Sequence, residues 1–241
     1  MPRPPAFDGA LLVDKPAGPT SHDVVDSVRD LYRMQQVGHC GTLDPGATGL
    51  LVLLLGRATK LSSRFMADDK AYEGVIQLGL TTDSHDAHGQ VTARTAVPPL
   101  TLDKLNAAAR EFTGDLMQLP PMVSAVKKGG TPLYKLARKG QQVEREARLV
   151  HVYQFEFSGY QAPLGRFRVA CTKGGYVRSL AHDLGQRLGC GAILKHLHRT
   201  RSGSFEVHEA LRLEALLETP DAQLPGLVVP LMDLAPRLKS A

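Results

Sequence analysis

The pattern of apolar and polar positions begins with a short strand at residues 10–13, then the turn Asp14-Lys15-Pro16-Ala17-Gly18-Pro19. Thr20 or Ser21 caps a helix whose apolar positions Val24, Val25, Val28, Leu31 and Tyr32 share one face. The run Leu50-Leu51-Val52-Leu53-Leu54-Leu55 lacks alternation and reads as a strand buried on both faces. A helix is expected over 58–66 and a strand over 71–80. The polar connector 81–89 then leads into a second strand over 90–96, completing a hairpin. Thr101 caps a helix with Leu105, Ala108, Ala109 and Phe112 in register, and strands follow near 149–157 and 166–171. A helix over 177–188, carrying Leu180, Ala181, Leu184 and Leu188, precedes a strand over 192–198. Strands and helices intermix without strict βαβ alternation. The predicted class is therefore α+β, a mixed, largely antiparallel sheet flanked by helices.

The segment that feeds the buried strand is the candidate site. Val37-Gly38-His39-Cys40-Gly41-Thr42-Leu43-Asp44-Pro45-Gly46-Ala47-Thr48-Gly49 holds one carboxylate, Asp44, among four glycines. Glycine permits φ > 0 and close backbone approach, while Pro45 biases Asp44 toward an extended conformation. An acid fixed on such a loop suits a nucleophile or a metal ligand. The same residues also suit an Asx turn, in which Asp44 bonds only nearby backbone N–H groups.

Charge adds a partner class. The chain of 241 residues has a formal net charge of +5, and residues 127–148 alone, with seven Lys or Arg against Glu144 and Glu146, carry an equal excess. A second basic stretch is Lys195-His196-Leu197-His198-Arg199-Thr200-Arg201. Two such patches fit a polyanion, most often nucleic acid, or else two solvated faces. The three cysteines lie far apart without C-x-x-C spacing, which points to a reducing compartment and a cytoplasmic protein with neither disulfide framework nor zinc site. The longest apolar run is far too short to span a membrane.

Three further features could carry chemistry. Cys171-Thr172-Lys173-Gly174-Gly175-Tyr176-Val177-Arg178 is a strand-to-helix turn whose backbone N–H groups could face an anion, or a plain turn with Arg178 at the surface. Tyr72 stands at a strand start, as a platform for a ligand or as a half-buried core residue. The pairs His85/His88 and His196/His198 fall on different elements, so no metal is expected. Neither a G-x-S-x-G, a P-loop nor a Rossmann glycine pattern occurs, which leaves phosphoryl- and hydride-transfer enzymes without support.

The Asp44 loop resembles the catalytic motif of the bacterial TruB-type tRNA pseudouridine synthases. So, in order, do Val13-Asp14-Lys15-Pro16-Ala17-Gly18, Lys70-Ala71-Tyr72-Glu73, the segments 82–89, 120–127 and 134–138, and 171–178. The resemblance implies a long mixed sheet with helices and isomerisation of the T-loop uridine of tRNA, position 55 by tRNA convention, without metal or organic cofactor. Asp44 would be the nucleophile, Tyr72 would stack on the target base, Arg178 would pair with the Asp44 carboxylate, and His39 would support the flipped-out RNA. Lys15, Tyr176, Arg199, Lys127, Lys128, Lys135, Arg138 and Lys139 would contact RNA, the last five on a thumb insertion at about 120–148 that clamps the T-stem loop.

Cys40, Gly46 and His198 depart from the family's usual residues, His198 standing where an arginine is common. The domain expectation is a catalytic domain over 1–210 and a C-terminal helix and tail over 211–241, with the family's PUA-type domain absent and a monomer sufficient. A tRNA-folding chaperone and a synthase acting on another RNA are the alternative functions.

Overall fold

The computed structural model describes residues 7–121, 127–128, 131–132 and 143–238, and the chain divides into two compact units: residues up to 71 together with 198 onward, and residues 72–197. In the first unit, β1 (Gly9–Lys15) leads through a proline-rich turn to α1 (Ser21–Leu31). Thr20 caps α1 reciprocally: its hydroxyl accepts from the Asp23 N–H at 3.1 Å and the Asp23 carboxylate accepts from the Thr20 N–H at 2.7 Å. Val24, Val25 and Val28 are the buried stripe, as the period predicts. β2 (Val37–His39) and β3 (Thr48–Leu55) flank the Asp44 loop and pair antiparallel. β3 also pairs antiparallel with β1 along its whole length, from Gly9 opposite Leu55 to Lys15 opposite Gly49. Every β3 residue after Thr48 is buried, which explains the run without polar alternation.

The helix expected over 58–66 begins instead as a 3-10 turn, Gly56–Leu61, and becomes α-helical only in α2 (Ser62–Met66). The Thr59 hydroxyl donates to the Gly56 carbonyl at 2.7 Å and favours the tighter winding there.

β4 (Lys70–Leu78) carries the chain into the second unit. The single strand expected over 71–80 is broken at Gly79, whose φ of +81° turns the chain. β5 (Leu80–Thr82) then pairs with β6 (Val91–Arg94) in a separate two-stranded sheet, so the hairpin forms from a shorter strand than the pattern suggested. The remaining elements are α3 (Leu102–Arg110), capped by Thr101 as expected, β7 (Gly114–Gln118), the short pair β8 (Lys127–Lys128) and β9 (Thr131–Pro132), β10 (Arg148–Gln161), β11 (Leu164–Cys171), α4 (Val177–Arg187) and β12 (Ala192–Ser202). The main sheet of this unit runs β12, β4, β11, β10, β7, and the described pairs β7–β10 and β10–β11 are antiparallel. Ile76, Leu105, Phe155, Phe167, Leu180 and Leu184 centre its core.

β12 returns the chain to the first unit, where His198 and Arg199 pair in parallel with Thr48 and Gly49 of β3. There β12 also pairs antiparallel with β13 (Phe205–Glu206). β14 (Leu211–Arg212), α5 (Leu213–Leu217) and β15 (Val228–Pro230) follow. β14 pairs parallel with Val13 and Asp14, and β15 antiparallel with Gly9 to Leu11. The residues set apart as a tail beyond 210 thus hydrogen-bond to the first strand of the chain. Among the described residues, no helix is long and apolar enough to cross a membrane.

Gly49 marks a close approach of β3 and β12. Its φ is +100°, and a Cβ there would overlap the Arg199 backbone. Gly49→Ala is therefore expected to cost about 2–4 kcal/mol from strain and overpacking combined. Urea denaturation checks this, and an unchanged midpoint would show that the two strands can separate without loss.

Candidate active site

The Asp44 loop is fixed from below by two fully buried cations. Lys15, at the end of β1, has none of its surface exposed. Its ammonium donates to the carbonyls of Pro16 and Pro19 at 2.8 Å each and of Pro45 at 3.2 Å. Proline supplies a carbonyl but no competing N–H, so these turns present acceptors only. Gly18 adds a backbone bond to the Pro45 carbonyl at 2.9 Å, and Ala47 donates to the Asp44 carbonyl at 3.0 Å. The Ser21 hydroxyl, in the first turn of α1, accepts from the Leu43 N–H at 2.8 Å and donates to the Leu43 carbonyl at 3.0 Å. On the other flank Arg199, 1% exposed, donates through Nε to the Leu50 carbonyl at 2.7 Å and through Nη2 to the Gly41 carbonyl at 3.1 Å. Asp44 sits half-buried between these anchors, one residue beyond Leu43 and one before Pro45.

Lys15 and Arg199 were expected to contact RNA. In the structure both are buried and donate to backbone carbonyls, which braces the loop. Burial pushes the Lys15 ammonium down to about 8, with the Arg199 charge adding to the depression and the Asp44 carboxylate opposing it. His39, on β2, is half-buried, with its Nδ1 buried and lacking a hydrogen-bond partner. Burial, then the Arg199 charge, holds its pKa below the ordinary histidine value, so the ring is neutral at neutral pH. The Cys40 thiol is 1% exposed and pushed up to about 12 by burial, a packed thiol rather than a nucleophile. His198, the departure from arginine, meets the Thr48 hydroxyl through Nδ1 at 2.8 Å.

The second unit holds Tyr72 and Arg178. Tyr72 is half-buried against the core of that unit. Arg178, in the first turn of α4, is 4% exposed, which rules out the surface reading. Its Nη1 donates to the Ser84 carbonyl at 3.3 Å and lies 3.6 Å from Asp86 Oδ2. Asp86 is itself set by the Ser84 hydroxyl at 2.6 Å and the His88 N–H at 3.0 Å, both on Oδ1. Sequence reasoning did not single out Asp86 as the partner of Arg178: its signal lay in the 82–89 motif, which reads as a polar connector.

The turn before α4 is closed by a side chain that mimics backbone. Gln118 accepts from the Tyr176 N–H at 2.6 Å and donates to the Tyr176 carbonyl at 3.0 Å. The Ser179 hydroxyl donates to the Leu119 carbonyl at 3.1 Å. The Tyr176 amide is thus taken by Gln118 and is not offered to an anion. Lys127 and Lys128 lie on β8, and Lys135, Arg138 and Lys139 lie outside the described residues. Arg145 donates to the Pro120 carbonyl at 2.9 Å. Among the described residues, no group of three or more His, Cys, Asp or Glu could hold a metal ion.

Comparison with known proteins places this arrangement in a class. The architecture matches a solved Cbf5-Nop10-Gar1 complex with a TM-score of 0.75 and 28% identity, covering 95% of this chain and 62% of that one. An archaeal box H/ACA sRNP Nop10-Cbf5 complex matches with a TM-score of 0.70 and 26% identity, covering 93% and 60%. The chain therefore spans about three fifths of those solved chains. Residues 29–177, with Asp44 and Tyr72, match the model of the TruB family pseudouridylate synthase N-terminal domain. Residues 178–233, beginning at Arg178, match the tRNA pseudouridylate synthase B C-terminal domain. The class is that of the pseudouridine synthases.

Proteins named tRNA pseudouridine synthase B are 50% identical in Opitutus terrae, over 96% of both chains, and 44% identical in Solibacter usitatus, over 97% of this chain and 80% of that one. The chain belongs to the TruB family.

The buried ammonium yields a stability test. Lys15→Met takes the ammonium from the Pro16 and Pro19 carbonyls and leaves the Pro45 carbonyl with the Gly18 N–H alone, and is expected to cost about 2–4 kcal/mol in chemical denaturation. Lys15→Arg is expected to recover little of that, because a planar fork does not match three carbonyls converging on one point. A wild-type midpoint for the Met variant would mean that water satisfies those carbonyls.

Proposed function

We propose that this chain converts uridine to pseudouridine in tRNA, at T-loop position 55, with Asp44 as the nucleophile. Its family membership and the names of its relatives support tRNA as substrate, in the cytoplasm where tRNA is found. The observation that carries the role of Asp44 is the loop itself: two buried cations and a serine hold its backbone on both sides of the acid. A carboxylate held in this way reaches a reacting atom without a reorganisation cost at each turnover.

The isomerisation breaks the N1–C1′ bond, turns the uracil, and joins C5 to C1′, while the C5 proton leaves and N1 regains one. Atoms balance within the nucleotide, so no cofactor is needed. The ionised carboxylate adds covalently to the sugar or the base, or takes a ribose proton, and is regenerated at the end. The Lys15 ammonium attracts that carboxylate. By the family resemblance Arg178 supplies the guanidinium that opposes the Asp44 charge, and Asp86 and the Ser84 carbonyl hold that guanidinium.

A uridine in a folded loop is reachable only once flipped out, at a cost of a few kcal/mol, part of which stacking on Tyr72 recovers. His39, neutral and half-buried, supports the flipped RNA as a hydrogen-bonding group rather than as a charge. Gripping the T-stem loop falls to the basic segment 127–148, with Tyr176 contributing at the start of α4.

Asp44→Asn is expected to bring turnover of a T-arm hairpin below about 1%, a loss of at least roughly 2.7 kcal/mol in transition-state stabilisation, with hairpin affinity within a few fold of wild type. Residual turnover above that level would exclude Asp44 as the nucleophile. Tyr72→Phe separates stacking from proton removal. The ring should hold binding within about twofold, while loss of a hydroxyl base at C5 should slow single turnover by about a hundredfold. A wild-type rate would leave Tyr72 as a stacking platform alone.

A further inference from the structure

Three unusual features coincide beside Arg178, in the second unit. His85 has a φ of +63°, a left-handed backbone that residues other than glycine adopt only at a cost. Its ring lies flat on that of His182, with centroids 3.9 Å apart and planes 6° from parallel. The Nδ1 atoms of both rings are buried without a hydrogen-bond partner. Strain and unsatisfied polar atoms in one place call for a compensating purpose.

The location supplies one. His85 stands between Ser84 and Asp86, the two residues whose carbonyl and carboxylate meet the Arg178 guanidinium. His182 is on the same helix as Arg178, four residues on and therefore on the same face one turn away. On its other side the segment is tied to β12: Leu194 donates to the His85 carbonyl at 3.0 Å, and Ala87 donates to the Leu194 carbonyl at 3.1 Å. Toward α4 it presents Arg178's own contacts and the ring stack.

We infer that His85 and His182 are positioning residues for Arg178, a clamp of stacked rings that fixes the 84–86 segment against the helix carrying that guanidinium. The inference rests on the catalytic reading of Arg178 given above. The left-handed step at His85 lets one tight turn present both acceptors to Arg178 while its ring reaches α4. The His85 ring of that stack is kept neutral by its surroundings. Burial first, then the charges of His182 and Arg178 on α4 and of Arg145 ahead of β10, push His85 down to about 4, with the Asp86 carboxylate opposing them.

The test is single turnover of a T-arm hairpin by the full chain at pH 7.5. His85→Asn removes the ring while keeping a residue that tolerates the left-handed backbone. His182→Ala removes the other ring from a helix position. Each is expected to slow turnover about tenfold while hairpin affinity stays within about twofold. His182→Phe restores a flat ring and should return the rate to within about twofold of wild type. The double variant His85→Asn/His182→Ala should be no slower than the slower single one, since both remove one interaction.

Arg178→Ala, measured alongside, separates the two readings. If it is inactive while either histidine variant runs at the wild-type rate, the clamp is overturned and the role of Arg178 stands. If Arg178→Ala keeps the wild-type rate, both fall. A Phe variant as slow as the Ala variant also overturns the clamp, since a ring at 182 would then be irrelevant.

Discussion

Two buried cations, Lys15 and Arg199, hold the loop that carries Asp44. A buried charge is expensive unless its hydrogen-bonding capacity is filled, and here backbone carbonyls fill it: three around the Lys15 ammonium, and those of Leu50 and Gly41 on Arg199. That requirement runs in both directions. The carbonyls must stay where they are for the cations to stay buried, so the loop backbone has little freedom to drift. Gly49 completes the arrangement, because only a residue without a side chain lets β3 approach the Arg199 backbone so closely. The sequence of the loop, with its glycines and prolines, is thus dictated as much by the cations beneath it as by the acid it displays.

The second unit solves the same problem with neutral groups. Gln118 pairs with both the amide and the carbonyl of Tyr176 and so sets the entry into α4 two residues before Arg178. Gln118 is 4% exposed, buried deeply enough that its two bonds exclude competition from water. Because Gln118 ends β7, the strand that leads toward the basic segment, displacement of that strand would be felt at the first turn of α4. Arg145 ties the returning end of the same segment to Pro120. The end of β7 and the helix carrying Arg178 are therefore joined directly by hydrogen bonds.

Much of this was legible in the sequence where one physical signal dominated. The 3.6-residue stripes of α1, α3 and α4 and the unbroken apolar run of β3 matched their elements because burial set both the pattern and the structure. Less was legible where a residue's surroundings ran against its type. The burial of Lys15 and Arg199 could not be read from the sequence, since lysine and arginine seldom lie fully buried and nothing local reveals which carbonyls will converge on them. Arg199 is hidden further by its neighbours: Lys195 and His196 on the same strand are exposed, so the basic run resembles one continuous patch. Asp86 was lost in a polar connector, because its partner Arg178 lies 92 residues away in the chain. Gly79 broke a strand whose apolar pattern continued through it, a case of backbone conformation overriding periodicity.

Both regions contain a buried arginine, Arg199 in the first and Arg178 in the second. Arginine keeps its proton at any pH the fold survives, so a buried guanidinium disfavours protonation of a buried histidine near it. His39 near Arg199 and His85 near Arg178 both have pKa values pushed down by burial first and by the guanidinium after it. For His85 the folded value of about 4 lies below the ordinary 6.5, so the unfolded chain binds more protons across that window. Stability is therefore lost as pH falls from about 6.5 toward 4, and it is level in this respect above 7. The same neutrality that makes the protein acid-sensitive keeps the surroundings of Arg178 from acquiring a second positive charge at neutral pH. An imidazolium beside that guanidinium would compete for Asp86 and weaken its hold on the arginine. Tolerance of low pH has been exchanged for a constant charge pattern at the pH where tRNA is modified.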